Sequence, residues 1–260
     1  MFAAPLLFLV ASLVAVPTQD KKDDKPQTDT KRVDAAVTEI EAAFKDGKTE
    51  ERVAAIKKNF AVTDARVVAA VGKGLKDKDA TVQSAAVDAL GRMPHPDALD
   101  ALHKFYKSEI KRLRDDQTLM PLVIKSIGRQ GSESSVDILS DDLFMQRTFP
   151  AIQARVFSLG NIRSKRSVQA IFDMMNKAGT NQVDKYAELF RQSLWRLTGT
   201  DQGPSCQMWM TWWRDNKDKF DVAKDVPKMS SDLDKSWNDY WEIQPKKEAP
   251  KEGDGEKKGG

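Results

Sequence analysis

The stretch DATVQSAAVDALG, Asp79 to Gly91, decides the fold class. Within it Val82, Ala85, Ala86, Ala89 and Leu90 follow one another at steps of 3, 1, 3 and 1 residues. That spacing lays them along one stripe of a 3.6-residue helix. Outward from it the same text recurs: LVIKSIGRQ at Leu122 to Gln130, ARVFSLGNI at Ala154 to Ile162, and RQSLWRLTG at Arg191 to Gly199. Each copy is an apolar stripe followed by a glycine. Gly91, Gly128, Gly160 and Gly199 lie 37, 32 and 39 residues apart, and each is expected to stop its helix as a C-terminal cap. A second amphipathic segment follows the first three, at Asp97–Arg114, Ser134–Phe144 and Ser167–Lys177. Sustained period-2 alternation of β-branched residues is missing, so the chain reads as all-α. Two helices joined by a short turn cannot seal their own apolar faces, but stacked pairs bury a continuous core.

The Asp79–Gly91 stretch resembles the second helix of HEAT repeats in its Asp, its Val, its paired small residues and its closing Ala-Leu-Gly. The likeness is weaker at Ile152–Gly160 and weakest at Leu122–Gly128. Most units lack the first-helix proline of the family, and the unit around Arg52–Phe60 has no closing glycine. The resemblance runs from Val33 to Gly199. It implies a right-handed α-solenoid of about five stacked helix pairs that binds partners. It implies no family-wide catalytic residue. The segments LWRLTG (Leu194–Gly199) and WMTWW (Trp209–Trp213) resemble a terminal element of some secreted bacterial HEAT-like proteins.

The bulk numbers narrow the function classes. A chain of 260 residues, 40% hydrophobic, can bury one sizeable core or two small ones. Lys and Arg total 42 against 39 acids, a balance that argues against a strongly nucleic-acid-binding domain. One cysteine, Cys206, allows neither an intrachain disulfide nor a multi-cysteine metal site. Residues 1–17 carry no charged side chain and contain the apolar run Leu6–Val16, 11 residues long. That length suits a signal peptide and falls short of the roughly 20 residues of a stable membrane span. The expected organisation is therefore a cleaved signal peptide (1–17), a charged disordered linker (18–31), a HEAT-like repeat domain (32–200), a Trp-rich helical cap (201–243) and a disordered charged tail (244–260). Export to the periplasm or beyond follows, with an uncleaved N-terminal anchor as the alternative.

Catalytic signatures are missing. No GxSxG elbow, HExxH pair or Walker loop occurs, and Gly72-Lys73-Gly74 lies inside a helical stripe rather than after a strand. His95 and His103 are too few for a metal site and read as solvated loop residues. Asp115-Asp116 and Asp141-Asp142 read as turn and helix-end pairs, because neighbours on a helix point about 100° apart. No catalytic residue, metal or cofactor is therefore expected. The candidate binding surface is Lys104, Lys107, Lys111 and Arg114, spaced 3, 4 and 3 on one helix face, extended by Arg163, Lys165 and Arg166. Trp209, Trp212 and Trp213 share one helical face, as do Trp237, Tyr240 and Trp241. With Trp195 these tryptophans read as a structural lid on the last repeat. The function expected is a non-enzymatic scaffold of the bacterial envelope with a protein partner; export argues against nucleic acid. The alternatives are a lyase-type or enzyme-accessory repeat protein, or a binder of an anionic polymer through the lysine stripe.

Overall fold

A computed structural model describes residues 30–141, 148–178, 183–222 and 225–244. The expected signal peptide, the linker as far as residue 29 and the tail from 245 lie outside the described residues. Among the described residues the regular structure is helical, with no strand. In chain order the α-helices are α1 (Thr30–Asp46), α2 (Thr49–Asn59), α3 (Ala65–Gly72), α4 (Ala80–Arg92), α5 (Pro96–Leu113) and α6 (Leu119–Arg129). They continue as α7 (Val136–Ser140), α8 (Phe149–Asn161), α9 (Lys165–Ala178), α10 (Ala187–Thr198), α11 (Cys206–Asn216) and α12 (Ser231–Trp241). Thr30 and Lys31, expected in the linker, form the first turn of α1.

The helices make two layers. One is the row α2, α4, α6, α8 and α10, in which each helix packs on the next. The other holds α1, α3 and α5 in sequence, then α7, α9 and α11. One continuous apolar cluster runs between the layers from Val33 and extends to Trp237 and Trp241 of α12, which packs on the row at Phe157. Leu90, Ile127 and Leu159 occupy equivalent places in α4, α6 and α8, and all three are 0% exposed.

The recurring glycines do a different job from the one expected of them. Gly91, Gly128 and Gly160 lie inside α4, α6 and α8, none with a left-handed backbone. Each meets a serine of the next helix in the row. A Cβ added to Gly91 would stand 2.8 Å from Ser126 Cα, one on Gly128 2.7 Å from Ser158 Cα, and one on Gly160 2.9 Å from Ser193 Cα. At these glycines the neighbouring backbone leaves no room for a side chain. Chain reversal is handled elsewhere. Met93 is extended ahead of Pro94, and Gly131, with φ 65°, follows α6. Only Gly199, with φ 77°, is the left-handed cap predicted for it.

The serine register also corrects the last match. Gly128 and Gly160 come two residues after Ser126 and Ser158, whereas Trp195 comes two residues after Ser193. Aligning Arg191–Gly199 by its glycine therefore shifts it about one helical turn from the structural register. An indole stands where a further helix would need a glycine, so the close-packed row ends at α10.

Between α5 and α9 the outer layer thins. The helix expected over Ser134–Phe144 begins with a 3-10 turn at Glu133–Ser135 and gives only the short α7, with residues 142–147 outside the description. Arg155 of α8, 1% exposed, compensates from beneath. It donates to Ile138 O (3.3 Å) and Leu139 O (3.1 Å) at the end of α7 and to Tyr106 Oη (3.2 Å) on α5. A buried cation is tolerated there because the C-terminal carbonyls of a helix are electronegative.

The glycine contacts can be tested in pairs. Gly128→Ala must push Ser158 away and is expected to cost about 1–3 kcal/mol, a loss of several degrees in Tm. Gly72→Ala meets nothing within 4 Å and sits in a helix, so Tm is expected to hold or rise. Differential scanning calorimetry of both variants separates close approach from a general dislike of alanine. Equal effects would remove the packing explanation.

Candidate interaction surface

Two charged surfaces emerge, and the sequence pointed to only one. Lys104, Lys107 and Lys111 are exposed along α5 in the outer layer, and Arg114 is the C-cap just beyond it. Among the described residues no acid pairs with the three lysines, whereas Arg112 is held by Glu109 at 2.9 Å. Lys107 lines the hollow over α7 together with His103, Asp137 and Lys177. Arg166 reaches Asp137 at 2.8 Å from the far side. Lys107 and Arg166 thus stand on either side of Asp137, whereas Lys104 lines a separate hollow against α3. Arg163 belongs elsewhere: it donates to Arg196 O (3.0 Å) and Asp225 O (3.1 Å), fastening the α8–α9 turn to the chain ahead of α12. Lys165 is exposed at the start of α9.

The histidines have local roles. His95 Nδ1 caps α5 by accepting from Asp97 N at 3.2 Å. His103 Nε2 lies 2.9 Å from Ser135 Oγ, and burial together with nearby Lys107 holds its pKa below the usual histidine range. The Cys206 thiol is buried and pushed up to about 11, so it stays protonated at neutral pH.

The tryptophans divide between two places. On α11, Trp213 stacks on Phe172 of α9 at 4.8 Å, and Trp209 donates from Nε1 to Gly203 O at 2.9 Å. Trp212 is half-buried, edge-on to Phe220. Arg191 lies 5.8 Å from the Trp195 ring. Trp237 and Tyr240 of α12 instead pack on Phe157 of α8, each with its ring centroid 4.9 Å away. So α11 sits at the end of the stack, while α12 lies back along the row, reaching α10, α8, α6 and α4.

That second-helix face is the surface sequence reasoning missed. Arg92 and Arg129 directly follow Gly91 and Gly128, so the packing that aligns the glycines also aligns the guanidiniums. Asp88 joins them, 2.8 Å from Arg92 and 3.1 Å from Arg129. Glu242, one residue past α12, accepts from Lys125 at 2.8 Å, pairs with Arg92, and lies 3.6 Å from Arg129. Lys125 also sits 4.8 Å from the Tyr240 ring, and Arg196 of α10 sits 4.3 Å from the Trp237 ring. Burial pulls the Arg196 pKa down to about 10. The repeated Gly-Arg pairs were a visible signal; nothing local marked Glu242 as their partner.

Hydrogen bonds from Lys125 and Arg92 pull the Glu242 pKa down to about 2. A depressed carboxylate stabilises the docked state above its unfolded pKa, and that contribution fades as pH falls toward 2. Because the Glu242 side chain is 47% exposed, the effect is on the order of 1 kcal/mol. Acid titration between about pH 4.5 and 2 is therefore expected to red-shift tryptophan emission through release of Trp237 and Trp241. Glu242→Gln is expected to start from the shifted emission and respond less. An identical titration of variant and parent would disconnect Glu242 from the docking of α12.

Among the described residues no helix is long and apolar enough to cross a membrane. No curated protein matches the chain. A family model described as HEAT repeats matches residues 38–120, from α1 into the first turn of α6, and over that stretch the chain is similar to HEAT repeats.

Proposed function

We propose that this protein is an exported, non-enzymatic scaffold of the bacterial envelope, a right-handed solenoid of about five helix pairs that holds an acidic protein partner. HEAT repeats generally mediate protein–protein interaction or scaffolding, and the similarity over 38–120 supports that class. The observation that carries the reading is the α5 stripe. Lys104, Lys107 and Lys111 sit one turn apart and exposed, and among the described residues none of them is within ion-pair distance of an acid, although Asp137 and Asp141 share the hollow that Lys107 lines. Like charges at that spacing cost the helix a few tenths of a kcal/mol per pair, so an acidic partner relieves repulsion as well as adding attraction.

Lys107→Glu with Lys111→Glu tests it. Glutamate is as good a helix former as lysine, so the circular dichroism spectrum is expected to stay unchanged. Capture of the partner from envelope extract is expected to fall on the order of tenfold and to lose its salt sensitivity. Capture that ignores both reversals would return the stripe to plain solvated surface. For export, amino-terminal sequencing of the native protein is expected to place the first residue between Val16 and Lys25. An intact Met1 in the cytosolic fraction would end that part of the proposal.

A further inference from the structure

The row of second helices carries a second surface, independent of the α5 stripe and already occupied. Its floor is Phe157, its rim is Arg196 at one end and Arg92, Lys125 and Arg129 at the other, and α12 is seated on it. We propose that this face is a docking site for a partner protein's amphipathic helix, one that presents aromatic rings at positions i, i+3 and i+4 and a carboxylate at i+5, and that α12 is a resident occupant which such a helix displaces.

The chemistry of the occupant defines that of the partner. Trp237, Tyr240, Trp241 and Glu242 stand at this spacing; Trp237, Tyr240 and Glu242 make the contacts just described, and Trp241 is buried against the first two. On the opposite side of α12, Asp232, Lys235, Ser236 and Asp239 are exposed, so the helix gives the face one stripe only. The rim is built to receive an anion whether or not α12 is present. Arg92, Lys125 and Arg129 carry three positive charges, and Asp88, which contacts both arginines, answers one of them. Glu242 answers a second, so its departure leaves two charges for another carboxylate. Next to Trp241 a hollow of about 410 Å³, lined by Gly91, Arg129, Gln130 and Asn161, leaves room for residues beyond the carboxylate of a longer helix.

The seat of α12 is also imperfect, as a displaceable occupant requires. Trp237 Nε1, Trp241 Nε1 and Tyr240 Oη are buried with no hydrogen-bond partner among the described residues. Buried donors left unmatched count against the docked state, whereas Trp209 of α11 has its partner in Gly203 O. Glu242 itself holds φ at 58° as the left-handed C-cap of α12, a conformation that L residues adopt at a cost. A partner that reaches the same cations from a relaxed backbone and satisfies one indole binds better than the resident helix. An intramolecular occupant lowers the apparent affinity of an outside ligand by the fraction of molecules in which the face is open.

A labelled peptide of residues 229–244 stands in for the partner helix and is titrated by fluorescence anisotropy against two full-length chains. One is the parent; the other carries Trp237→Ala and Glu242→Ala in its own α12. The peptide is expected to bind the variant at least tenfold more tightly than the parent, and a peptide with Glu242→Lys is expected to lose that advantage. Equal binding to both chains, or binding to neither, would overturn the proposal while leaving the α5 stripe untouched. Should the variant unfold, amide hydrogen exchange of the parent decides alone. Amides of 232–241 are expected to exchange at least tenfold faster than those of α6 and α8. Exchange of α12 in step with those core helices would make it an integral element and sink the idea. A concentration-dependent dimer formed by exchange of α12 would also overturn it, assigning the face to a second copy of the chain.

Discussion

The structure depends on how closely one second helix can approach the next. At Gly91, Gly128 and Gly160 the backbone of each helix meets a serine of its neighbour so closely that a methyl group would stand within 3 Å of the facing Cα. Close contact of this kind multiplies dispersion contacts along the row and leaves few rotamers to choose among. Two of the three facing serines also bond across the contact: Ser158 donates to Ile124 O at 3.1 Å and Ser193 to Val156 O at 3.0 Å. The same constraint ends the row. With Trp195 in the glycine position, α10 presents a ring where the next helix would have to come near, and the outer layer is finished by α11 instead.

The charged face follows from that packing. Arg92 and Arg129 are next in sequence to the glycines, so bringing the glycines into line brings the guanidiniums together over Asp88. Arg129 bonds to Asp88 across the helix boundary, a bond that exists only because α4 and α6 are in register. Gln130 works in the same way, donating to Leu90 O (2.8 Å) and Met93 O (2.7 Å) at the end of α4. A side chain of one unit thus adds a donor to the last carbonyls of the helix before it.

The two aromatic helices show how the same sequence spacing serves two purposes. In α11 the rings of Trp209 and Trp213 enter the core, one ring stacks flat on Phe172, and the indole donor of Trp209 is satisfied. In α12 the rings of Trp237 and Trp241 enter the same core beside Phe157, with cations at the faces of Trp237 and Tyr240, while their polar groups find no partner among the described residues. Burial of ring area holds both helices, but only the first also settles its hydrogen bonds. Both helices belong to the continuous apolar core, Trp209 and Trp237 each being 1% exposed.

The sequence by itself determined the helical class, the pairing of helices into units, and the core positions Leu90, Ile127 and Leu159. These are legible because helical periodicity and recurrence are local properties of the chain. It also marked the exposed lysines of α5, since a 3-4-3 spacing is local too. The role of the recurring glycines was hidden, because a glycine that caps a helix and one that admits a neighbouring backbone look alike in one dimension. The one-turn offset at Trp195 was hidden for the same reason: only the partner serine, 33 residues back to Gly160, reveals the register. Tertiary structure alone decided that Glu242 answers Arg92, 150 residues away, and that α12 lies along the row rather than over its end. Contacts at that separation depend on where the intervening helices place both partners, and no pattern within either segment encodes it.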